Sequence, residues 1–351
     1  MTIEELLRFT KDNGASDLHL SVGSSPMLRI NGKMQKINMP DFSKDQFEEL
    51  IFGIMTNEQR MIFSKNHEID FSRKLDEDTR FRINVFQQIN GIAAVFRTIP
   101  TEIKTFEDLG LPNVMKSLAL KEKGLILLTG PTGSGKSTTL ATMIDYINEN
   151  KHCHIITIED PVEFVHKTKN SLVNQREIGA STHSFSNALR VALREDPDVI
   201  LVGEMRDLET VSLALTASET GHLVLATLHT NSASKTIDRI IDIFPTGQQG
   251  QVRSMLSESL EAVIAQKLLP TKDGKGRVAA MEIMLATTAI RNLVREDKIY
   301  QIPSVIQASS KAGMQTVDQD LQRLVMEGRV DRAEAAKRAD NAKLFESEAI
   351  F

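Results

Sequence analysis

One glycine-rich loop constrains the fold of this chain more than any other feature. Residues 125–128 before it are apolar, and apolar side chains recur after it at 140, 143, 144 and 147 with helical spacing. The loop consists of Gly130, Pro131, Thr132, Gly133, Ser134, Gly135, Lys136, Ser137 and Thr138, which match the pattern G-x-x-x-x-G-K-[ST]. Strand, loop and helix in this order predict one unit of a parallel α/β sheet.

The loop also predicts a phosphate site. Its glycines allow backbone N–H groups to turn toward phosphate oxygens, and the positive end of the following helix adds to the attraction. We expect Lys136 to reach the β- and γ-phosphates and the Ser137 hydroxyl to ligate Mg²⁺. A glycine-rich turn alone could arise by chance, but a strand and a helix flank this one in the required order. The predicted ligands are therefore ATP and Mg²⁺.

Further short apolar stretches predict other strands of this sheet, at residues 154–158, 199–202 and 223–228. In open α/β sheets, ligands bind beyond the carboxyl ends of the strands. Carboxylates of Glu159, Asp160 and Glu163 follow the first of these ends. We predict that Glu163 binds Mg²⁺ or orients water, with an ordinary solvated acidic turn as the alternative.

The next two strand ends carry Glu204 and His229. The stretch before Glu204 is similar to a Walker B strand, although Gly203 stands where a Mg²⁺-binding aspartate is usual. The Glu204 carboxylate can polarise the attacking water, and His229 is predicted to sense the γ-phosphate. His222 precedes the same strand, and because six strand residues span ~20 Å, both histidines cannot contact one nucleotide through it. The role of His222 therefore stays open.

Arginines in the amino-terminal part could complete the site of a neighbouring subunit. Many P-loop ATPases use a cation from another subunit to neutralise transition-state charge. In residues 79–87, apolar and polar residues alternate, so Arg80 and Arg82 share one face of a strand. We predict catalytic roles in trans for Arg82 and Arg97, with ordinary surface charge as the alternative.

A change in the pattern of predicted strands and helices along the chain predicts two domains. Alternating strands and an Asn31–Gly32 hairpin turn indicate a small α+β domain first. Short apolar strands that alternate with helices follow, and we expect helix from about Ser254 to the end. The predicted segments are the first domain at 1–98, a connection at 99–120, an ATPase core at 121–270 and a helical C-terminal region at 271–351.

Composition narrows the function. The net charge is −5 and the sequence pI is about 6.0, whereas nucleic-acid-binding proteins usually present a basic face, so no nucleic-acid partner is expected. The single cysteine, Cys153, excludes a disulfide or a cysteine-ligated zinc site within one chain. The start lacks a signal-peptide pattern, and no apolar run approaches the ~20 residues that span a bilayer. We therefore expect a cytoplasmic protein.

Together these elements resemble the secretion ATPase superfamily. The phosphate loop, an acidic box, a Gly-Glu Walker B and a histidine box occur here in its order. Similarity to its pilus retraction branch covers essentially the whole chain and includes residues 15–20, 157–161, 221–224, 289–293 and 313–316. The resemblance implies a PAS-like first domain, a RecA-like second domain and a homohexamer with ATP at subunit interfaces. It also implies peripheral association with the inner membrane through a pilus platform protein, with pilin as an indirect partner.

The implied function is that of an ATP-hydrolysing motor for type IV pilus retraction and twitching motility. An accessory retraction ATPase is the nearest alternative, although Pro131, Ser134 and residues 289–293 favour the main retraction ATPases. A conjugation- or secretion-type translocation ATPase is another. A non-catalytic, nucleotide-binding assembly factor is a further alternative, but the presence of Glu163 and Glu204 favours hydrolysis.

Residues 289–296 predict a helix outside the phosphate motifs. Ile290, Leu293 and Val294 form a narrow apolar stripe with helical spacing. Arg291 and Asn292 lie beside this stripe on a polar face. The helix could simply pack in the C-terminal region, or its polar face could couple the motor to a partner, and the resemblance favours coupling.

Overall fold

Backbone contacts divide the chain into two units, Met1–Glu102 and Ile103–Phe351. The structure is a computed structural model that describes residues 2–30, 32–76, 79–99, 102–274 and 276–346. Some predicted features fall partly outside these ranges, because Asn31 of the hairpin turn, Pro100 of the connection and residues 347–351 of the C-terminal region are not among the described residues.

The first unit is built on an antiparallel sheet with strand order β3-β2-β1-β6-β5-β4. The strands are β1 (Asp17–Ser21), β2 (Met27–Ile30), β3 (Lys33–Lys36), β4 (Glu68–Asp76), β5 (Thr79–Gln88) and β6 (Gly91–Ile99). The helices are α1 (Ile3–Asp12), α2 (Lys44–Phe52) and α3 (Asn57–Asn66), each begun by a Thr or Ser capping box.

The alternation predicted for residues 79–87 is confirmed in β5. Phe81, Ile83 and Val85 are fully buried and pack with residues of α2 in one core. Successive strand side chains point to opposite faces, so Arg80 and Arg82 project from the face away from this core. The apolar residues of the pattern therefore build the core of the unit, and the two arginines lie partly buried on the opposite face.

The second unit contains a mixed sheet with strand order β13-β12-β7-β11-β10-β8-β9, in which the β12–β13 pair is antiparallel and the others are parallel. Its strands are β7 (Gly124–Thr129), β8 (His154–Glu159), β9 (Leu172–Glu177), β10 (Val199–Val202), β11 (Leu223–Leu228), β12 (Leu260–Pro270) and β13 (Arg277–Leu285). Its α-helices are α4 (Phe106–Leu109), α5 (Val114–Ala119), α6 (Lys136–Asn150), α7 (Phe185–Ala192), α8 (Leu208–Glu219), α9 (Ala233–Asp242), α10 (Thr246–Ser259), α11 (Thr288–Arg295), α12 (Ile302–Ala308), α13 (Val317–Met326) and α14 (Arg332–Arg338). Short 3₁₀ helices occupy Ile299–Gln301, Ser310–Ala312 and Ala342–Phe345.

Within the described residues, no helix is both long enough and apolar enough to cross a bilayer.

The sheet of the second unit is buried on both faces. Every residue of β7 is buried, as expected for a central parallel strand. Leu125 and Leu127 pack on one face with residues of α7 to α10, and Ile126 and Leu128 pack on the other with residues of α5 and α6. Because β7, β11, β10 and β8 are parallel neighbours, their carboxyl ends meet at one edge of the sheet.

The prediction of a helical region from about Ser254 to the end was wrong for β12 and β13, so the segment 271–351 is not wholly helical. Buried apolar runs do not distinguish strand from helix by periodicity. β12 joins β7 as a parallel neighbour, and β13 pairs along its whole length with β12. Sheet pairing therefore overrides the helix propensity of the alanine, methionine and glutamate residues in β13.

The predicted connection 99–120 is not an exposed linker throughout. Phe106, Leu111 and Met115 are buried and belong to the core beneath α6 in the second unit. Aromatic pairing of Phe106 with Tyr146 of α6, at 5.2 Å between ring centroids, adds to this packing. From Phe106 onward, this segment is therefore part of the second unit.

Candidate active site

The carboxyl ends of β7, β8, β10 and β11 open into one cavity of about 360 Å³. The predicted Lys136, Ser137, Glu163, Glu204 and His229 all line it. These residues come from four segments that are separated along the chain. The parallel register of the strands brings the segments together.

Lys136 lines this cavity at the end of the phosphate loop. It is the first residue of α6, and its Nζ donates to the carbonyl oxygens of Gly130 at 2.7 Å and Pro131 at 3.2 Å. Burial lowers the pKa of Lys136, while the carboxylates of Glu204 and Glu163 act in the opposite direction. Backbone carbonyl oxygens therefore hold the lysine inside the loop, and two carboxylates lie near enough to act on its charge.

Glu204 lines the same cavity and contacts two side chains. Its Oε1 lies 2.5 Å from Arg206 Nε and 3.0 Å from His229 Nε2. Burial raises the pKa of Glu204, but the hydrogen bonds from Arg206 and His229 outweigh it, so the net shift is downward. The carboxylate is thus kept ionised and held in one orientation.

The close packing at Gly203 explains why an aspartate is absent there. A Cβ at this position would lie 3.1 Å from the Ile158 carbonyl oxygen and 3.3 Å from Glu159 Cα. The Thr227 hydroxyl also donates to the Gly203 carbonyl at 2.5 Å. A side chain at 203 would therefore crowd the backbone at the end of β8.

The loop that carries Glu163 is held by side chains that sequence reasoning did not identify. The Val162 N–H donates to Glu177 Oε2 at 3.1 Å. Gln175 accepts from the His166 N–H at 2.8 Å and donates to the Phe164 carbonyl at 2.8 Å. These partners lie on β9, which was not among the predicted strands.

Glu159 supports the same loop at the end of β8. It accepts from the Thr157 hydroxyl at 2.6 Å and from Gln175 Nε2 at 3.1 Å. Burial raises the pKa of Glu159, although these hydrogen bonds and one from the Glu163 backbone oppose the shift. Hydrogen bonds from β9 therefore brace this acidic segment, while the side chains of Asp160 and Glu163 are exposed.

The family assignment follows from sequence similarity along nearly the whole chain. Residues 2–337 match the family described as "Type II/IV secretion system protein". The chain belongs to this secretion family.

Relatives within the secretion family are similar over almost their full length. The "Type IV pilus retractation ATPase PilT" of Pseudomonas aeruginosa is 56% identical, covering 97% of this chain and 98% of that protein. A "Twitching motility protein" of Neisseria gonorrhoeae is also 56% identical, covering 91% of this chain and 85% of that protein. The "Crystal Structure of the Pilus Retraction Motor PilT and Bound ADP" has a TM-score of 0.92 and 49% identity, with 98% of each chain covered. The mixed α/β fold is thus that of known secretion-family ATPases.

Arg82 and Arg97 do not line the cavity of this secretion-family chain. Both lie in the first unit, where they are direct cross-strand partners in β5 and β6. Arg82 Nε lies 3.3 Å from Asp70, and Arg97 Nε lies 2.8 Å from Asp17. Their side chains remain 40% and 66% exposed.

His222 lies away from the cavity, at the opposite end of β11 from His229. Its Nδ1 is 2.9 Å from the Ala217 carbonyl oxygen at the end of α8, and its backbone carbonyl accepts from the Gly124 N–H at 3.0 Å. The histidine therefore joins α8 to the sheet within this chain.

The β12–β13 hairpin contributes lining residues that sequence reasoning missed. Leu268 and Arg277 border the cavity on the side of β7 away from Glu204. Sequence reasoning did not identify these two residues, because the segment that contains β12 and β13 was predicted to be helical.

The predicted helix at 289–296 is confirmed as α11, with Ile290 and Val294 buried and Leu293 packed beside them. Arg291 differs from the expectation of an exposed polar face. Its guanidinium donates to the Ser257 and Glu258 carbonyls at 2.7 Å each and to Glu261 at 3.0 Å. Arg291 therefore ties α11 to the end of α10, whereas Asn292 is exposed.

Proposed function

We propose that this chain is a Mg²⁺-dependent ATPase motor that powers type IV pilus retraction and twitching motility. One observation carries the proposal: the cavity joins Lys136 to Glu163, Glu204 and His229 in a chain 56% identical to a pilus retraction ATPase over nearly its whole length. Lys136→Ala tests the nucleotide site. Because no other side chain of the loop carries a positive charge, this variant should lose phosphate release in a steady-state assay.

ATP binding is assigned to the phosphate loop. The N-terminus of the 15-residue helix α6 opens at the loop, and its N–H groups and dipole attract phosphate. Lys136 already lies among carbonyl oxygens of the loop, so its ammonium can pass to phosphate oxygens. Thr138 lines the same cavity beside Ser137.

The oxygen donors of the cavity fit Mg²⁺. The Ser137 hydroxyl and the Glu163 carboxylate both line it, and oxygen is the ligand that this hard cation prefers. Among the described residues, no group of three His, Cys, Asp or Glu side chains forms a complete metal cage. Mg²⁺ in nucleotide sites is usually held by one or two protein groups together with phosphates and water. When bound, it would neutralise phosphate charge.

Glu204 is the proposed general base. Arg206 and His229 both contact its Oε1, and its lowered pKa keeps it in the ionised form that a base requires. His229 would report on the γ-phosphate, and its contact with Glu204 supports this role. Glu163 would orient the metal or the attacking water from the braced loop.

We also assign Arg82 and Arg97 to the site of a neighbouring subunit in a homohexamer. These two arginines are direct cross-strand partners, an arrangement that like charges alone would destabilise. Asp70 and Asp17 pair with their guanidinium groups, but the two side chains remain 40% and 66% exposed, so an anion can still reach them. The antiparallel sheet with helices suits a PAS-like first unit, and the parallel sheet with a phosphate loop suits a RecA-like second unit.

Mixing of variant chains tests the assignment in trans. A chain with Arg82→Ala and Arg97→Ala keeps its phosphate loop, and a Lys136→Ala chain keeps its arginines, so each alone should be inactive. In an equal mixture, about a quarter of ring interfaces would combine intact halves and recover hydrolysis. Lys136→Ala mixed with Glu204→Gln is the control, since both defects lie on the same side of the interface. Mixed oligomers without recovery would contradict action in trans.

In the cell, the proposed motor would act on an inner-membrane pilus platform protein as its partner. Pilin would be an indirect partner. The chain would act in the cytoplasm, held at the membrane through the platform protein. Deletion of the gene followed by pilus imaging tests this role. Excess pili without twitching would support retraction, whereas loss of pili would indicate an assembly function instead.

A further inference from the structure

A contact to the phosphate loop comes from strand β12. β12 runs parallel to β7, and Ala265 lies opposite Thr129 in the sheet. Gln266 therefore follows at the level where β7 ends and the loop begins. Its side chain is among the deeply buried polar groups, with 2% exposure. A buried amide of this kind is costly unless its donors and acceptors are paired.

The Gln266 side chain bonds both the loop and the helix that follows it. Its Nε2 donates to the Ser134 carbonyl oxygen at 2.7 Å. Its Oε1 accepts from the Thr139 hydroxyl of α6 at 2.9 Å. This second bond orients the amide so that its NH₂ group, and not its oxygen, faces the loop. A Cβ at Gly130 would lie only 2.4 Å from the Gln266 backbone oxygen, so the loop passes directly against β12.

The bond to the Ser134 carbonyl has a consequence for phosphate binding. This carbonyl and the Gly135 N–H belong to one planar trans peptide, in which the two bonds point in opposite directions. Because Gln266 holds the carbonyl toward β12, the Gly135 N–H is directed away from β12. Gly135 lines the cavity, and N–H groups of such loops bind phosphate.

We propose that Gln266 is a positioning residue for nucleotide binding, which aims the Gly135 N–H by holding the Ser134–Gly135 peptide. The inference rests on the proposed function, because it takes the loop as the ATP site. Gln266 does not itself contact the nucleotide, and Thr139 acts with it by orienting the amide.

Binding of a fluorescent ADP analogue tests the proposal with two variants, each normalised to the wild type at the same pH. Gln266→Met keeps the approximate volume and removes both side-chain hydrogen bonds. Its affinity should fall about tenfold at every pH, the scale of one hydrogen bond. Gln266→Glu places an ionised acceptor against the Ser134 carbonyl, but a protonated carboxyl can donate there. Because burial raises a carboxyl pKa, its affinity should recover as the pH falls from about 8 to about 6.

Gln315→Met is the matched control. Gln315 donates to the Met281 carbonyl of β13 at 2.9 Å and is not a lining residue of the cavity, so its loss should leave analogue binding within about twofold. Thermal unfolding verifies that every variant is folded, and Thr139→Val replaces Gln266→Met if that chain does not fold.

Two outcomes would overturn the role of Gln266. One is normal binding by folded Gln266→Met, and the other is a Gln266→Glu affinity that stays low at every pH. Normal binding by Lys136→Ala would instead overturn the placement of phosphate in the loop. The two failures are therefore distinguishable.

Discussion

Arg206→Ala should move the acid limb of the pH–rate profile to higher pH. Arg206 Nε lies 2.5 Å from Glu204 Oε1, and its hydrogen bond is among the causes that lower the pKa of Glu204. The variant loses this bond but keeps the one from His229, so the pKa of Glu204 should rise. Hydrolysis that needs the ionised carboxylate would then be lost at a higher pH than in the wild type.

The size of the shift is limited by solvent. The Arg206 side chain is 73% exposed, and exposed ion pairs contribute about 0.2–1 kcal/mol. Since one pH unit corresponds to about 1.36 kcal/mol, the acid limb should move upward by about 0.15–0.7 unit. Near pH 8 both enzymes have an ionised Glu204, so the ratio of their rates should change mainly as the pH falls.

The assay is kcat/KM for ATP measured across the acid range, because that quantity reports ionisation in the free enzyme. Arg73→Ala is the matched control, since Arg73 forms a 2.6 Å ion pair with Glu4 in the other unit. It should leave the acid limb in place. An acid limb that stays fixed or moves downward in Arg206→Ala would refute the assignment of this limb to Glu204.

Other expectations concern the base, a buried carboxyl and helix α11. Glu204→Gln should still bind ATP while turnover falls by roughly 10²–10⁴; turnover within about threefold would remove Glu204 from the role of base. Burial raises the pKa of Glu282, so its contribution to stability is present at acid pH and lost as the pH rises through the folded-state pKa. Glu282→Gln should consequently gain stability over the wild type as the pH rises to neutral in chemical denaturation, and a constant difference would count against this. Arg291→Ala should lower the free energy of unfolding by about 1–3 kcal/mol, whereas Asn292→Ala should leave both stability and ATP hydrolysis near wild type.

The phosphate loop and the strand-end residues could be predicted from the sequence because their signals are local. A glycine-rich loop between an apolar strand and an amphipathic helix has one dominant structural solution, and β7 and α6 have that form. The bounds predicted for β10 and β11 agree with the structure, since short apolar runs ending in polar residues are typical of buried parallel strands. Parallel pairing then requires Glu204 and His229 to meet at one edge. The sequence pattern therefore predicts that these residues lie around one cavity.

Tertiary structure alone decided which residues hold those groups in place. Gln266 and Thr139 are 127 positions apart, and no local pattern relates them. The strand β13, rich in helix-forming residues, exists because β12 supplies a pairing edge. Arg291 was predicted to face outward, but the end of α10 provides carbonyls within reach. Sequence periodicity specifies which face of an element is apolar, whereas the partner of each polar side chain depends on the distant segment that packing brings beside it.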